Sequence, residues 1–465
     1  MYSKRIFCYH LPRSDDENIS HLLLTALRST VEELPFLAGS VVPFSKDQPW
    51  LHDLRPHGAA YLEVKDLSQE INFLDLRKAR FSSSLLDAKQ ICPFPAPVYI
   101  QDGPLDVCRL RANFVDGGLL LVLSIIHTVC DGRGITEVIK IFADKLRKAQ
   151  TGELVSRSTG HEDLPKQVYS FDRTSVLSGN GIPGAIENHP GWTALPLPFL
   201  GGSPGIKTSC TNFHITCDAL RALKEVTSSS SSGSRASAAV NALHPLEGKY
   251  TSSSQQATSI STNDAIAALI WRSIMLARYR AGIISERTIT HFSQAVDCRS
   301  RLHLPEPYFG NAIYGVKASL ALHRLALATD NSDASQFLGL QAAGRAIRAE
   351  INGATADKFR DLLGFVDRTD MQLLTRLSVL EDLLIGSMLL VSYINFEMHD
   401  IDFGEAFGGK IESFRLPSQG LIPGMPVVLP RLPDGSCEFV INEQENVVNF
   451  LAKDEIFQKF ASKYC

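Results

Sequence analysis

Three things are scarce in this sequence, and each absence removes a class of function. Paired cysteines are missing. The nine cysteines are odd in number, scattered from Cys8 to Cys465, and include no C-x-x-C, so neither a zinc knuckle nor a dithiol redox motif is expected. Those in apolar runs read as small, reduced core residues. A basic surplus is missing too: the formal net charge is −4, which offers no general attraction for nucleic acid or an acidic membrane. Long apolar runs are the third absence. The longest, around Leu119–Ile126 and Leu383–Ile394, fall well short of a bilayer span. The opening MYSKRIFCYHLPRSDDEN holds no apolar core of signal-peptide length. A reducing, cytoplasmic setting is the expectation, with no resident metal.

What is present is material for two cores. The chain has 465 residues, 44% hydrophobic and 21% charged, a globular composition too long for one ordinary core. Ser14, ahead of Asp15, Asp16 and Glu17, predicts a capped helix whose apolar face is Ile19, Leu23, Leu27 and Val31, ending at Leu34-Pro35. Cys108, Leu110, Ala112 and Phe114 alternate with Arg109, Arg111 and Asn113 as in a half-buried strand. After the turn at Asp116-Gly117-Gly118, Leu119–Ile126 reads as a central strand covered on both faces. His127 stands at its end, and the spacing of Ile135, Val138, Ile139, Phe142 and Leu146 then becomes helical. Further on, Thr211–Thr216 predicts a strand and Asp218–Val226 a helix, while Ser261 and Asp264 frame a capping box for a helix through Leu276. The expected division is an N-terminal domain over 1–190, a crossover linker over 191–210, and a C-terminal domain over 211–465. The last contains a serine-rich, low-complexity loop at 227–260.

The most informative segment is His127-Thr128-Val129-Cys130-Asp131-Gly132, an H-x-x-x-D-G pattern for which composition predicts about 0.05 chance matches. A strand-end histidine before a glycine-rich loop is a candidate general base. The plain alternative is a histidine satisfied by a loop carbonyl, with Asp131-Gly132 as a turn. Two look-alikes test how selective the reading is. His214-Ile215-Thr216-Cys217-Asp218 repeats H-x-x-x-D, but no glycine follows and Asp218 can cap the next helix, so it reads as structural. Gly201-Gly202-Ser203-Pro204-Gly205 matches the G-x-S-x-G elbow, yet the residue after that serine must donate its N–H to an oxyanion, and Pro204 has none. Asp297-Cys298-Arg299-Ser300-Arg301 reads on its own as an exposed charged turn, and Asp402-Phe403-Gly404 as a glycine-punctuated turn.

In this order and spacing, five segments resemble the BAHD acyltransferase family, nearest its fungal trichothecene 3-O-acetyltransferase branch. They are Leu34-Pro35-Phe36-Leu37-Ala38-Gly39, the H-x-x-x-D-G segment, Ser261-Thr262-Asn263-Asp264, D-x-R-x-R into Tyr308-Phe309-Gly310-Asn311, and Asp402-Phe403-Gly404. The resemblance implies an α/β fold of two chloramphenicol-acetyltransferase-like domains, with mixed sheets and a central channel where acyl-CoA and acceptor meet at His127. It implies that Asp131 is structural support, turned away from the reaction and paired with Arg299 in preference to Arg301. Asp402 and Gly404 are implied to be structural as well. The chain departs from the plant pattern at Glu405-Ala406, where Trp-Gly is usual, and at Val391-Ser392-Tyr393, where Thr-Ser-Trp is common. In the family that segment helps hold the tetrahedral oxyanion; since Val391 cannot donate, the resemblance implies Ser392, Tyr393 or another group entirely in that role.

The expected chemistry is transfer of an acyl group, acetyl by default, from coenzyme A to a hydroxyl of a specialised metabolite such as a terpenoid or polyketide. His127 would take the hydroxyl proton and return it to the departing thiolate, with no covalent acyl-enzyme. Ser261 and Thr262, at a helix N-terminus, are candidates for contacting the coenzyme, the plain reading being that they only cap the helix. The expected partners are the thioester and a small-molecule alcohol, for a monomer. Two rival readings are a non-catalytic binding homologue and a condensation-like enzyme using a carrier-protein thioester. The latter usually shows two adjacent histidines, and here Ile126 precedes His127.

Overall fold

The computed structural model describes residues 2–12, 15–43, 52–56, 58–94, 103–154, 173, 176–196, 207–229, 259–326, 337–369, 373–418 and 421–464. Ser14, the G-x-S-x-G look-alike at 201–205 and most of the serine-rich loop lie outside these residues.

Two large mixed sheets organise the fold. The first uses β1 (Tyr2–His10), β2 (Tyr61–Asp66), β3 (Cys108–Val115) and β4 (Gly118–Ile126). The second uses β5 (Thr208–Ile215), β6 (Ile289–Asp297), β7 (Ile313–Ala321), β8 (Ser387–Ser392), β9 (Val427–Val428), β10 (Cys437–Gln444) and β11 (Ser462–Lys463), in the spatial order β7-β6-β8-β9-β10-β5-β11. In the first sheet β4 is central, with β1 on one side and β3 then β2 on the other. Its buried run is two-sided for a simple reason of period. Leu119, Leu121, Leu123 and Ile125 face one core, while Leu120 and Val122 join Phe73, Leu76 and Phe81 on the other face. The first of these cores is closed by α1 (Asp16–Glu33) and α2 (Gly132–Gln150), through Leu23 and Leu27 on one helix and Val138, Ile139 and Phe142 on the other.

Asp15, not Ser14, caps α1: its carboxylate accepts from the N–H of Asn18. A second cap also differs from expectation. Thr216 rather than Asp218 accepts from Ala219 at the start of α3 (Cys217–Ser228), with Asp218 in the first turn. The capping box at Ser261 is present, and its helix α4 (Thr262–Arg280) runs one turn past Leu276. Residues 264–278 of α4 are buried all round, as befits a helix at the centre of a second core. The segment expected as linker carries a strand of its own, Trp192–Pro196, paired with Leu373–Leu377.

The chain does not keep its two halves separate. The short strand Ser413–Arg415 pairs antiparallel with β1 at the edge of the first sheet. Met398, Ile401, Phe403, Phe407, Ile411 and Phe414 are buried in the first core. Residues late in the sequence thus brace the sheet that carries His127. No helix is long and apolar enough to cross a membrane among the described residues.

Candidate active site

The site begins where β4 ends. The antiparallel register sets Tyr2 opposite Ile126 and Arg5 opposite Leu123, so the start of β1 lies beside the exit of β4. His127 and Thr128 follow in a turn, and Asp131 caps α2 by accepting the N–H of Gly134 at 2.9 Å.

Asp131 faces the second half of the molecule. Its Oδ1 also accepts from Nη2 of Arg299 at 2.8 Å, and Oδ2 accepts from Arg299 Nη1 and the backbone N–H of Ala312, both at 2.9 Å. Four donors therefore occupy the two carboxylate oxygens. Arg299 opens the four-residue helix α5 (Arg299–Leu302). Its remaining donors go to the carbonyls of Tyr308 at 3.0 Å and Gly310 at 2.6 Å, and to Asp297. Arg301, two residues on, bonds instead to the carbonyl of Ala354. A separation of two on a helix turns a side chain by about 200°, so only one of the two arginines can meet Asp131. Asn311 completes the clamp: its Nδ2 donates to the carbonyls of His127 at 3.1 Å and Thr128 at 2.9 Å. Gly134 is the glycine that close approach demands, since a Cβ there would sit 2.1 Å from the carbonyl oxygen of Phe309.

His127 itself is open to solvent, although protein crowds round it closely enough to hold its pKa below the ordinary imidazole value. Burial is the main cause; Asp131 opposes the shift and the Arg5 cation adds to it. The arrangement presents a neutral imidazole at the end of β4.

The facing wall comes from the end of β8. Tyr393 is held by its backbone N–H to Val428 and by its carbonyl to Phe396, both at 2.8 Å. A Cβ added at Gly132 would meet the rings of Phe396 and Tyr393 at 3.1 and 3.4 Å, so both aromatics lie directly against the start of α2. The two residues proposed from sequence as oxyanion donors differ here. Ser392 gives its hydroxyl proton to Oδ1 of Asn263 at 2.6 Å, whereas Tyr393 lies beside Arg5. Asn263, in the first turn of α4, in turn approaches Gln294 of β6 at 3.4 Å. Ser261 accepts from the N–H of Asp264 while the Asp264 carboxylate accepts from the N–H of Ser261. That carboxylate is fully buried and also meets Arg348. The capping role of Ser261 is plain in this geometry, and Thr262 sits next to it at the half-buried helix start.

Asp402 and Gly404 lie elsewhere. Arg147 donates to the carbonyl of Asp402, and Gln150 to that of Phe403 at 2.7 Å while accepting from Ala406 at 2.8 Å. Arg147 and Gln150 are at the far end of α2, a 19-residue helix about 28 Å long. Among the described residues no group of three or more His, Cys, Asp or Glu side chains is gathered as a metal site. Arg5 was not legible as a site residue in the sequence, and Asn263 and Asn311 only as parts of segments; each acts through a partner more than a hundred residues away.

Residues 1–145 match the trichothecene 3-O-acetyltransferase-like N-terminal domain. The enoyl-CoA isomerase/hydratase claC of Penicillium crustosum is 46% identical over 99% of this chain, which spans about half (49%) of that protein's length. The acyltransferase BOA11 of Botryotinia fuckeliana is 26% identical, covering 96% of this chain and 91% of its own. Among solved structures, F. graminearum TRI101 complexed with coenzyme A and T-2 mycotoxin superposes with a TM-score of 0.78 at 21% identity, over 100% of this chain and 96% of that one.

Proposed function

Given that the chain belongs to the BAHD acyltransferases and is related to trichothecene 3-O-acetyltransferase, we propose that it transfers an acyl group, acetyl by preference, from coenzyme A to a hydroxyl of a specialised metabolite. The observation that carries this reading is His127: a solvent-open imidazole at the end of β4, held neutral by its surroundings, with its backbone clamped from the other half by Asn311 and the Asp131–Arg299 pair. A neutral imidazole so placed removes the acceptor's proton as the hydroxyl oxygen attacks the thioester carbon. The carbonyl π electrons move onto oxygen. Collapse then breaks the C–S bond, and the imidazolium returns its proton to the leaving thiolate. Atoms and charge balance without a metal or an acyl-enzyme.

Ser392 has committed its proton to Asn263, so Tyr393 is the better candidate to meet the tetrahedral oxygen. Thr262 and Ser261, joined to the end of β8 through Asn263, are assigned to the thioester's arm. The test is release of free coenzyme A thiol from acetyl-CoA across a panel of metabolite alcohols, for the wild type and His127→Ala. The variant should bind acetyl-CoA as before and lose about 10²–10⁴-fold in kcat; equal turnover would exclude His127 as the base.

One relative supports a second reading. The 46% identical protein carries the name of an enoyl-CoA isomerase/hydratase, although only half of its length corresponds to this chain. Both chemistries need a coenzyme A thioester and a base. Hydration of a short enoyl-CoA, with no thiol released, would favour that reading; thiol release that depends on an alcohol favours transfer.

A further inference from the structure

Arg5 has no part in the chemistry above, yet it is fully buried at the base of the site. It lies on the face of β1 that also presents Phe7 and Tyr9 to the first core, a position where strand alternation calls for an apolar side chain. Asp131, the acid that acts on it, is already saturated by Arg299, Gly134 and Ala312. Arg5 therefore makes do with neutral partners. Nη2 donates to the carbonyl of Gly132 at 2.9 Å, Nη1 to Oγ1 of Thr136 at 3.3 Å, and Nε has none. The last partner is Tyr393: the guanidinium carbon lies 5.3 Å from its ring centroid.

A buried cation without an ion pair lowers stability compared with an apolar residue. Its contacts show what it achieves in return. One planar group holds the first carbonyl of α2, five residues past His127, and lies against the ring of a residue from the other sheet. The Tyr393 ring is boxed by Phe396 at 5.3 Å, by Phe414 at 6.1 Å and by Gly132. Packing sets the ring plane, and the guanidinium against the ring ties it to the start of α2.

We propose that Arg5 is a positioning residue that aims the Tyr393 hydroxyl at the tetrahedral oxygen of acyl transfer and fixes the span between the Tyr393 and His127 walls. The proposal rests on the acyl-transfer reading and adds to it a group from the first strand.

The test is a double-mutant cycle in the full chain, with acetyl-CoA and an alcohol that wild type acylates: R5M, Y393F, R5M/Y393F and R5K. Y393F should lower kcat about 10²-fold, the scale of one oxyanion donor, with the KM for acetyl-CoA within about threefold of wild type. R5M should lower kcat comparably, R5K should recover part of the loss, and the double variant should be no worse than the poorer single one. If R5M costs as much in the Y393F background as in wild type, or leaves kcat unchanged, the assignment falls. Should R5M fail to fold, the R5K, Y393F and R5K/Y393F cycle is read by the same criterion. Wild-type turnover abolished by H127A is the control. Its absence overturns acyl transfer and this proposal together, whereas a sound control with multiplicative effects overturns the role of Arg5 alone.

Discussion

Replacing Asp131 by asparagine should act through the fold before it acts on the chemistry, and the structure sets the size of the effect. The pair is in the buried regime: the side chains of Asp131 and Arg299 are 2% and 11% exposed, so the weak energies of surface ion pairs do not apply. In asparagine one oxygen becomes an NH₂. Whichever way the amide turns, it points a donor at Arg299 and at either the Gly134 or the Ala312 N–H. One backbone donor is stranded and the guanidinium loses its counter-charge. Breaking a buried pair from one side costs about 3–5 kcal/mol, a factor of about 10²·²–10³·⁷ in the folding equilibrium. Urea unfolding of the D131N variant should show a midpoint lowered accordingly, with little change in slope. D131N/R299M should regain part of the loss, because no single charge is then left behind. A D131N protein of wild-type stability with turnover reduced a hundredfold would refute this reasoning and place the carboxylate in the reaction.

The remaining expectations concern the groups that hold His127. Because burial lowers its pKa beneath the ordinary value of about 6.5, His127 is neutral at pH 7. The kcat/KM profile should be level there and fall tenfold per pH unit only below that range; an acidic limb centred above pH 7 would contradict it. Asn311→Ala removes two hydrogen bonds to solvent-facing carbonyls that water can replace, so stability should change by less than about 1.5 kcal/mol. Turnover should nonetheless fall about tenfold as the His127 backbone loosens, and unaltered kcat would remove Asn311 from the site. Gly134→Ala drives a methyl onto the backbone oxygen of Phe309, where no flexible side chain can give way. A cost of at least about 1–3 kcal/mol should appear as reduced thermal stability, and a wild-type melting curve would show the approach to be looser than described.

What could be read from the sequence was what is local along the chain. The nine-residue strand β4 announces itself by composition, and its end places His127. Asp131 follows at the spacing of a helix cap, so the loop and α2 are inferable together. The choice between Arg299 and Arg301 came from resemblance, and helix geometry supplies its reason: the two point about 200° apart, one to Asp131 and the other to Ala354. Cap positions were less secure. Asp15 displaced Ser14, and Thr216 displaced Asp218, because runs of Ser, Thr and Asp offer adjacent oxygens of similar capping strength. The contacts of Arg5, Asn263 and Asn311 were hidden for a different cause. Their partners are fixed by the β1–β4 register and by the meeting of β8 with α4, and periodicity within a segment carries no information about either.

The same geometry changes the weight of the two departures from the plant pattern. Glu405-Ala406 in place of Trp-Gly hinted at a chain that had lost its activity. Glu405 is exposed, Ala406 donates its N–H to Gln150, and Phe403 is sealed against Tyr9 at 5.4 Å edge to face. All of this happens at the end of α2 opposite the His127 loop, so substitution there alters a brace and leaves the reacting groups as they were. The departure at Val391-Ser392-Tyr393 is of another kind, because β8 delivers those residues to the site wall. There the missing threonine coincides with a tyrosine whose ring lies against a buried arginine from the first strand. The hint of inactivity from the Asp-Phe-Gly loop therefore carries no weight. The question of activity passes to the Arg5–Tyr393 pair, where the kinetics of Y393F answer it.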